Sequence, residues 1–199
     1  MVCEDLSDAW KTKQRACEEL YSKELPETYQ HWGNILTETS SKFCMPVGSI
    51  LDVGCGNPDH SIKYFGGFSF YYMGLDPFVP DTTTTIPVIK CFGEELSFEA
   101  SSFDNVALMS LLDHVDDPRQ IVSEAARVLR VGGTLYIMVL VWTDHFNIEL
   151  DEYHLRHLSE EEVLNLVAED FVVEATQFIP YKEDYRRVMY LKARRNEKQ

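Results

Sequence analysis

The sequence predicts an α/β protein, an open and mostly parallel sheet covered by helices on both faces, in one domain of 199 residues. Three observations carry that prediction. Short apolar runs alternate with helix-like patterns or short connections from residue 49 onward. The first run leads into Asp52-Val53-Gly54-Cys55-Gly56-Asn57-Pro58, a strand, a glycine turn and a helix start in succession. A later run, Thr134 to Val141, is apolar almost throughout, as a central parallel strand buried on both faces should be.

The elements follow in order. Residues 8–43 read as two helices broken at Pro26. Trp10, Gln14, Cys17 and Tyr21 recur at near-helical spacing, and Thr28 is placed to cap a second helix carrying Tyr29, Trp32, Leu36 and Phe43. Residues 1–48 thus form a helical cap ahead of a core at 49–199. Ser49–Val53 is the first strand. Asn57 caps the first core helix, and Pro58 takes its first position, where a missing N–H costs nothing. Phe70–Leu75 is the second strand. The stretch Pro77 to Pro87 holds three prolines and four successive threonines, too broken for a helix, so one crossover helix is expected to be missing before a third strand at Ile86–Cys91.

Phe103–Leu108 is the fourth strand. Asp116-Asp117-Pro118 starts an amphipathic helix with Ile121, Val122, Ala125, Val128 and Leu129 on one face, and Gly132-Gly133 reads as its end. The fifth strand follows. Ser159-Glu160-Glu161-Glu162 is a capping box leading into residues 163–168. Val172–Ile179 and Val188–Ala193 pair as a terminal hairpin-like unit.

Bulk properties narrow the function. Hydrophobic residues at 45% and charged residues at 26% are ordinary for a globular chain, and no stretch approaches a membrane span. The formal net charge of −15 repels phosphate backbones, so nucleic acid is a disfavoured partner. The basic clusters, Arg186-Arg187 and Lys192 to Arg195, read as a strand edge and tail. Five cysteines, an odd number with no C-x-x-C pair, suit reduced thiols in a cytoplasm. The acidic start, Met1 to Asp5, is not a leader peptide by pattern.

The chemistry concentrates at the first turn. Gly54 and Gly56 allow backbone N–H groups to approach a ligand, because no Cβ stands in the way. Asp76 lies twenty residues after Gly56, at the end of the second apolar run, where a carboxylate accepts hydrogen bonds from ribose hydroxyls. The dinucleotide pattern wants a third glycine, and position 59 is Asp. Asp52, just ahead of the turn, suits a pyrophosphate poorly and a ligand with a cationic end well. S-adenosylmethionine has such an end, an ammonium and a sulfonium beside one carboxylate.

On these residues the chain resembles the class I S-adenosylmethionine-dependent methyltransferases. Leu51-Asp52-Val53-Gly54-Cys55-Gly56 looks like their first motif and Gly74-Leu75-Asp76 like their second-strand acid. The resemblance covers roughly Ser49 to the C-terminus. It implies a Rossmann-like, doubly wound sheet of seven strands in order 3-2-1-4-5-7-6, the last antiparallel. It also implies cofactor contacts from Asp52, Gly54, Cys55, Gly56, Asp76 and Pro77, and from Phe92, Gly93 and Glu94 around the adenine. Ser110 and Leu111 would lie under the methionine moiety. Where the family often has Asp, this chain has Phe92, which can only pack on the ring, so Glu94 is the substitute acceptor. Val128 to Leu135 resembles a late architectural landmark, with Val131 in place of the usual proline.

The acceptor side is less defined. His114 follows the fourth strand and has two readings, a base that takes a proton from a substrate hydroxyl, or a brace for the next helix. In the family the leading helices and the segment after the fifth strand help to cover the substrate, which nominates Tyr21, Tyr29, Trp32, His145 and His154. A metal pair at His154 and His157 lacks a third ligand at a recognisable spacing, so no metal is expected. The resulting expectation is a cytoplasmic enzyme, monomer or homodimer, that transfers methyl from S-adenosylmethionine to a small-molecule acceptor and releases S-adenosylhomocysteine. The alternatives are a methyltransferase of RNA or protein, and a non-catalytic scaffold of the same fold.

Overall fold

Local signals place most elements of the computed structural model, which describes residues 10–13, 15–16, 27–67, 69–78, 84–143, 149–150, 152–181 and 183–197. Residues 10–13 and 15–16 are helical. Helix α1 spans Glu27–Phe43, so it begins one residue before the expected cap at Thr28. Strand β1 spans Gly48–Val53. Helix α2 is only Pro58–Ser61, continued by a 3-10 turn at Ile62–Tyr64, and Asn57 caps it by accepting from the Asp59 N–H. Strands β2 (Phe70–Leu75), β3 (Val88–Ile89) and β4 (Phe103–Met109) follow.

Asp117 caps α3, Pro118–Val128, by accepting from the N–H groups of Arg119 and Gln120. Strand β5 is Leu129–Trp142. Helix α4, Glu160–Val167, starts at a complete capping box between Ser159 and Glu162. Strands β6 (Phe171–Tyr181) and β7 (Glu183–Arg195) complete the order.

The seven strands form one sheet in the order β3-β2-β1-β4-β5-β7-β6. β1, β2, β3, β4 and β5 run parallel where they pair, while β7 pairs antiparallel with both β5 and β6. The expected strand order is the observed one. Alternate residues of the central strands enter two separate cores. Leu51, Val53, Val106, Leu108, Leu135 and Ile137 pack with Ile121, Val122 and Ala125 of α3 and Val163 and Val167 of α4. Ile50, Ala107, Met109, Tyr136 and Met138 pack with Cys44 and Phe65, against Leu36 and Phe43 of α1.

Two expectations are corrected. The third strand is Val88–Ile89 rather than residues 86–91, because it is an edge strand that pairs only with Gly74 and Leu75. Helix α3 ends at Val128, and Gly132-Gly133 lies inside β5. Phe103 pairs with Leu129 but Asn105 with Thr134, so the extra residues bulge. Gly132 supplies φ +75°, and a Cβ on Gly133 would stand 2.8 Å from the Arg130 carbonyl and 2.9 Å from that of Asp104. The glycines serve the bulge, not the helix end. No helix among the described residues is long and apolar enough to cross a membrane.

Candidate functional site

The sheet reverses its winding between β1 and β4, and the loops leaving their carboxyl ends diverge there. A cleft with about 420 Å³ of empty space, part of it open to solvent, lies at this edge. Gly54, Asp76, Pro77, Phe92, Gly93, Glu94, Leu111 and His114 form its wall, all named from the sequence. Asp52, Cys55, Gly56 and Ser110 stand outside that wall.

The glycine turn is tied directly to Asp76. The Gly54 and Cys55 N–H groups donate to the Leu75 carbonyl at 2.8 and 3.0 Å, and the Gly56 N–H donates to Asp76 Oδ2 at 3.0 Å. Phe78 N–H donates to Asp76 Oδ1 at 2.8 Å. A carboxylate has about four acceptor positions. Two remain for ligand hydroxyls. Burial holds the Asp76 carboxyl above its usual range, and the two backbone donors oppose that shift.

The turn has room for a ligand on one side only. Gly54 sits at φ +70° with Leu111 Cδ1 2.5 Å from where a Cβ would be, so Leu111 packs straight onto the backbone. Gly56 sits at φ +54° with nothing within 4 Å of that point. Ser110, exposed at φ +53°, donates its N–H to the Met138 carbonyl at 2.7 Å and turns the chain out of β4.

Asp52 plays a different part from the one expected of a wall residue. It is fully buried behind the turn, where Ser61 Oγ and Tyr72 OH both donate to Oδ2, the latter at 2.7 Å. Its Oδ1 has no hydrogen-bond partner among the described residues. Burial raises its pKa to about 6 against the help of Ser61 and Tyr72. The folded state therefore holds this proton more tightly than the unfolded chain, and the stability that Asp52 supports is lost as pH rises from about 4 through about 6. A rise of roughly two units corresponds to about 3 kcal/mol. Asp52→Asn should raise the melting temperature at pH 7, with the gain shrinking towards pH 4 in a thermal-melt series.

Aromatic rings close one end of the cleft. Trp10 is buried, with its ring centroid 5.2 Å from Phe78 and 5.9 Å from Phe92. Neither Trp10 nor Phe78 was read as a site residue from the sequence. Phe78 directly follows Asp76-Pro77, which was an available signal. Trp10 shows only helical periodicity. Glu94 is nearly buried, its carboxyl raised by burial, and Gln120 Nε2 donates to its backbone carbonyl at 3.1 Å. Downstream, Arg127 donates to the Leu96 and Phe98 carbonyls, and Glu124 accepts from the Leu96 N–H, so α3 holds this loop in place.

On the acceptor side, His114 is in the wall and His154 lies beside it, with ring centroids 4.7 Å apart. Trp32 packs on Tyr181 at 5.0 Å and does not line the cleft. His157 stacks on Trp142 at 3.8 Å, which separates its role from that of His154. Tyr21, His145 and the side chain of Tyr29 lie outside the described residues.

The residues fit a nucleoside cofactor with a cationic end. The turn offers open space at Gly56, Asp76 keeps two acceptor positions, and Asp52 has a buried oxygen without a donor. Known proteins share this fold. A family model described as a methyltransferase domain matches residues 51–137. The chain is 26% identical over 151 residues to a ubiquinone biosynthesis O-methyltransferase of Colwellia psychrerythraea, covering 68% of this chain and 59% of that protein. It is 30% identical over 103 residues to a tRNA U34 carboxymethyltransferase of Hahella chejuensis, covering 46% of this chain and 32% of that one.

A Burkholderia thailandensis 1,6-didemethyltoxoflavin-N1-methyltransferase, solved with its substrate and S-adenosylhomocysteine, superposes with TM-score 0.65 at 16% identity, over 93% of this chain and 87% of that one. By its domain match, its sequence relatives and its strand order, the chain is similar to the class I S-adenosylmethionine-dependent methyltransferases.

Proposed function

We propose that this chain binds S-adenosylmethionine in the cleft at the ends of β1, β2 and β4 and methylates a small-molecule acceptor. The observation that carries the reading is the coupling of the Gly54–Gly56 turn to Asp76. When bound, the cofactor supplies a methyl group already activated on a sulfonium. The chain's own residues then have to bind, align and exclude water.

Asp76 is the acceptor for the ribose hydroxyls. Trp10, Phe78 and Phe92 offer apolar faces to the adenine, and Glu94 is the nearby carboxylate for its amino group. Leu111 and the Gly54 backbone form the floor under the amino-acid end, with Asp52 as the buried negative charge behind it. Cys55 is a small residue of the turn; its thiol is raised by burial, so it is not poised as a nucleophile. His114 brings an imidazole to the wall where an acceptor proton would leave. We place the protein in the cytoplasm, a compartment that suits the free thiols of Cys44, Cys55 and Cys91.

Asp76→Ala tests the assignment. It removes charge-assisted hydrogen bonds of about 1.5–3 kcal/mol each. Calorimetric titration with S-adenosylhomocysteine should show at least a tenfold weaker dissociation constant, with a cooperative thermal melt retained. An unchanged constant in a folded variant removes the reading. A methyltransferase of RNA is the second reading, favoured by the relative from Hahella chejuensis. The net charge of −15 weighs against a phosphate-rich substrate.

A further inference from the structure

We propose that Asp113, His114 and His154 form a binding site for a divalent metal ion of the zinc class, set against the wall of the cofactor cleft. The three side chains offer ligand atoms that all lie within 4.8 Å of one another. His114 Nε2 is 3.8 Å from Asp113 Oδ1, and His154 Nε2 is 3.6 Å from Asp113 Oδ2. Tetrahedral zinc, with bonds of about 2.0–2.1 Å, holds its ligand atoms roughly 3.4 Å apart. Each histidine nitrogen is therefore within a few tenths of an ångström of that spacing from the carboxylate, and too far from it for a direct hydrogen bond.

The protonation pattern points the same way. His114 Nδ1 lies 3.1 Å from the Tyr153 carbonyl. A carbonyl only accepts, so Nδ1 carries the hydrogen, and in the neutral ring Nε2 presents its lone pair to Asp113. This is the arrangement by which a backbone carbonyl orients a metal-binding imidazole. Asp113 is buried, and its Oδ1 has no hydrogen-bond partner among the described residues. The His114 lone pair and the Asp113 carboxylate thus face one another, an arrangement that a cation between them satisfies, and His154 approaches the same carboxylate from a second element. Two imidazolium rings 4.7 Å apart would repel, with one buried carboxylate to compensate them.

The backbone builds the cluster deliberately. Asp113 and His114 sit in the turn after β4, where the His114 N–H donates to the Leu111 carbonyl at 2.9 Å. His154 comes from the segment after β5, and the Leu155 N–H donates to the Asp113 carbonyl at 2.9 Å. Arg156 Nη2 donates to the Val115 and Asp116 carbonyls, which ties this segment to the turn after β4. The far end of the segment is held where the Trp142 N–H donates to the Leu158 carbonyl at 2.9 Å. Three protein ligands leave a coordination position open. Because His114 is also part of the cleft wall, that position suits an oxygen or nitrogen of a molecule bound there.

The sequence alone led to the expectation of no metal, because it considered His154 and His157 as a pair without a third ligand and did not consider Asp113 and His114 with them. The test uses the full chain, stripped with a chelator, without cofactor or acceptor, so it stands apart from the methyl-transfer reading. Zinc is titrated in competition with a chromophoric chelator, and cobalt is used as the visible probe. The wild type should bind one equivalent, and Asp113→Asn and His154→Gln should each weaken binding at least 100-fold with S-adenosylhomocysteine affinity retained. X-ray absorption of the wild-type zinc protein should count two imidazoles and no sulfur, a readout that survives if a variant fails to fold. No saturable binding, unchanged affinity in the folded variants, or a thiolate-to-cobalt band would overturn the proposal.

Discussion

Gly56→Val should abolish S-adenosylhomocysteine binding in a calorimeter while the protein still melts cooperatively. Two effects combine at this position. The backbone sits at φ +54°, where a β-branched residue is strained by roughly 1–3 kcal/mol. A Cβ there meets nothing within 4 Å, so the isopropyl group would fill open space beside the cleft that a ligand needs. Any shift of the turn to relieve the strain also moves the Gly56 N–H off Asp76. Gly132→Val is the matched control. It has φ +75° and nothing within 4 Å, but it lies in the bulge of β5. It should cost comparable stability and spare binding. Equal losses of binding in the two variants would show that strain, not the cradle, was being measured.

His114→Ala should lower turnover by about 10²–10⁴-fold with cofactor affinity nearly intact, for any acceptor the wild type methylates. Nε2 is the atom at stake, since Nδ1 is occupied by the Tyr153 carbonyl. If Nε2 is a free base, the wild-type rate should rise with pH through a histidine-like pKa and ignore chelators. If it holds the ion proposed above, chelation should lower the rate in the wild type and leave the variant unaffected. A variant that only melts earlier, with full turnover in its folded fraction, would return His114 to the role of a brace. The pH profile of the rate and the chelator response therefore separate readings that a single substitution would merge.

Much of the framework was legible because its signals are local. Phe70–Leu75 is bounded by glycines and Pro77, and its strand limits match. Asn57, Asp117 and Ser159 each cap the helix that follows, because a side-chain oxygen two or three residues from an N–H needs no tertiary contact to find it. The turn from Gly54 to Gly56 and the acid at Asp76, proposed above to hold the cofactor, were legible for the same reason. Their spacing lies within one strand–turn–helix–strand unit.

What the sequence by itself determined, then, was the sheet-forming pattern, the helix starts, the likeness to a methyltransferase domain and the position of the glycine turn. Tertiary structure alone decided the rest. It placed Gly132-Gly133 in a bulge rather than at a helix end, because only the pairing of β5 with β4 defines which residues are extra. It trimmed β3 to two residues, because an edge strand is as long as its partner allows. It brought Trp10 against Phe78 and Phe92, and it set His154 beside Asp113 and His114 across the segment that follows β5. The ring of His114 is oriented by a carbonyl 39 residues away. Periodicity encodes which face of an element is apolar. It carries no record of which distant side chain will meet that face, and it is such meetings that complete both ends of this cleft.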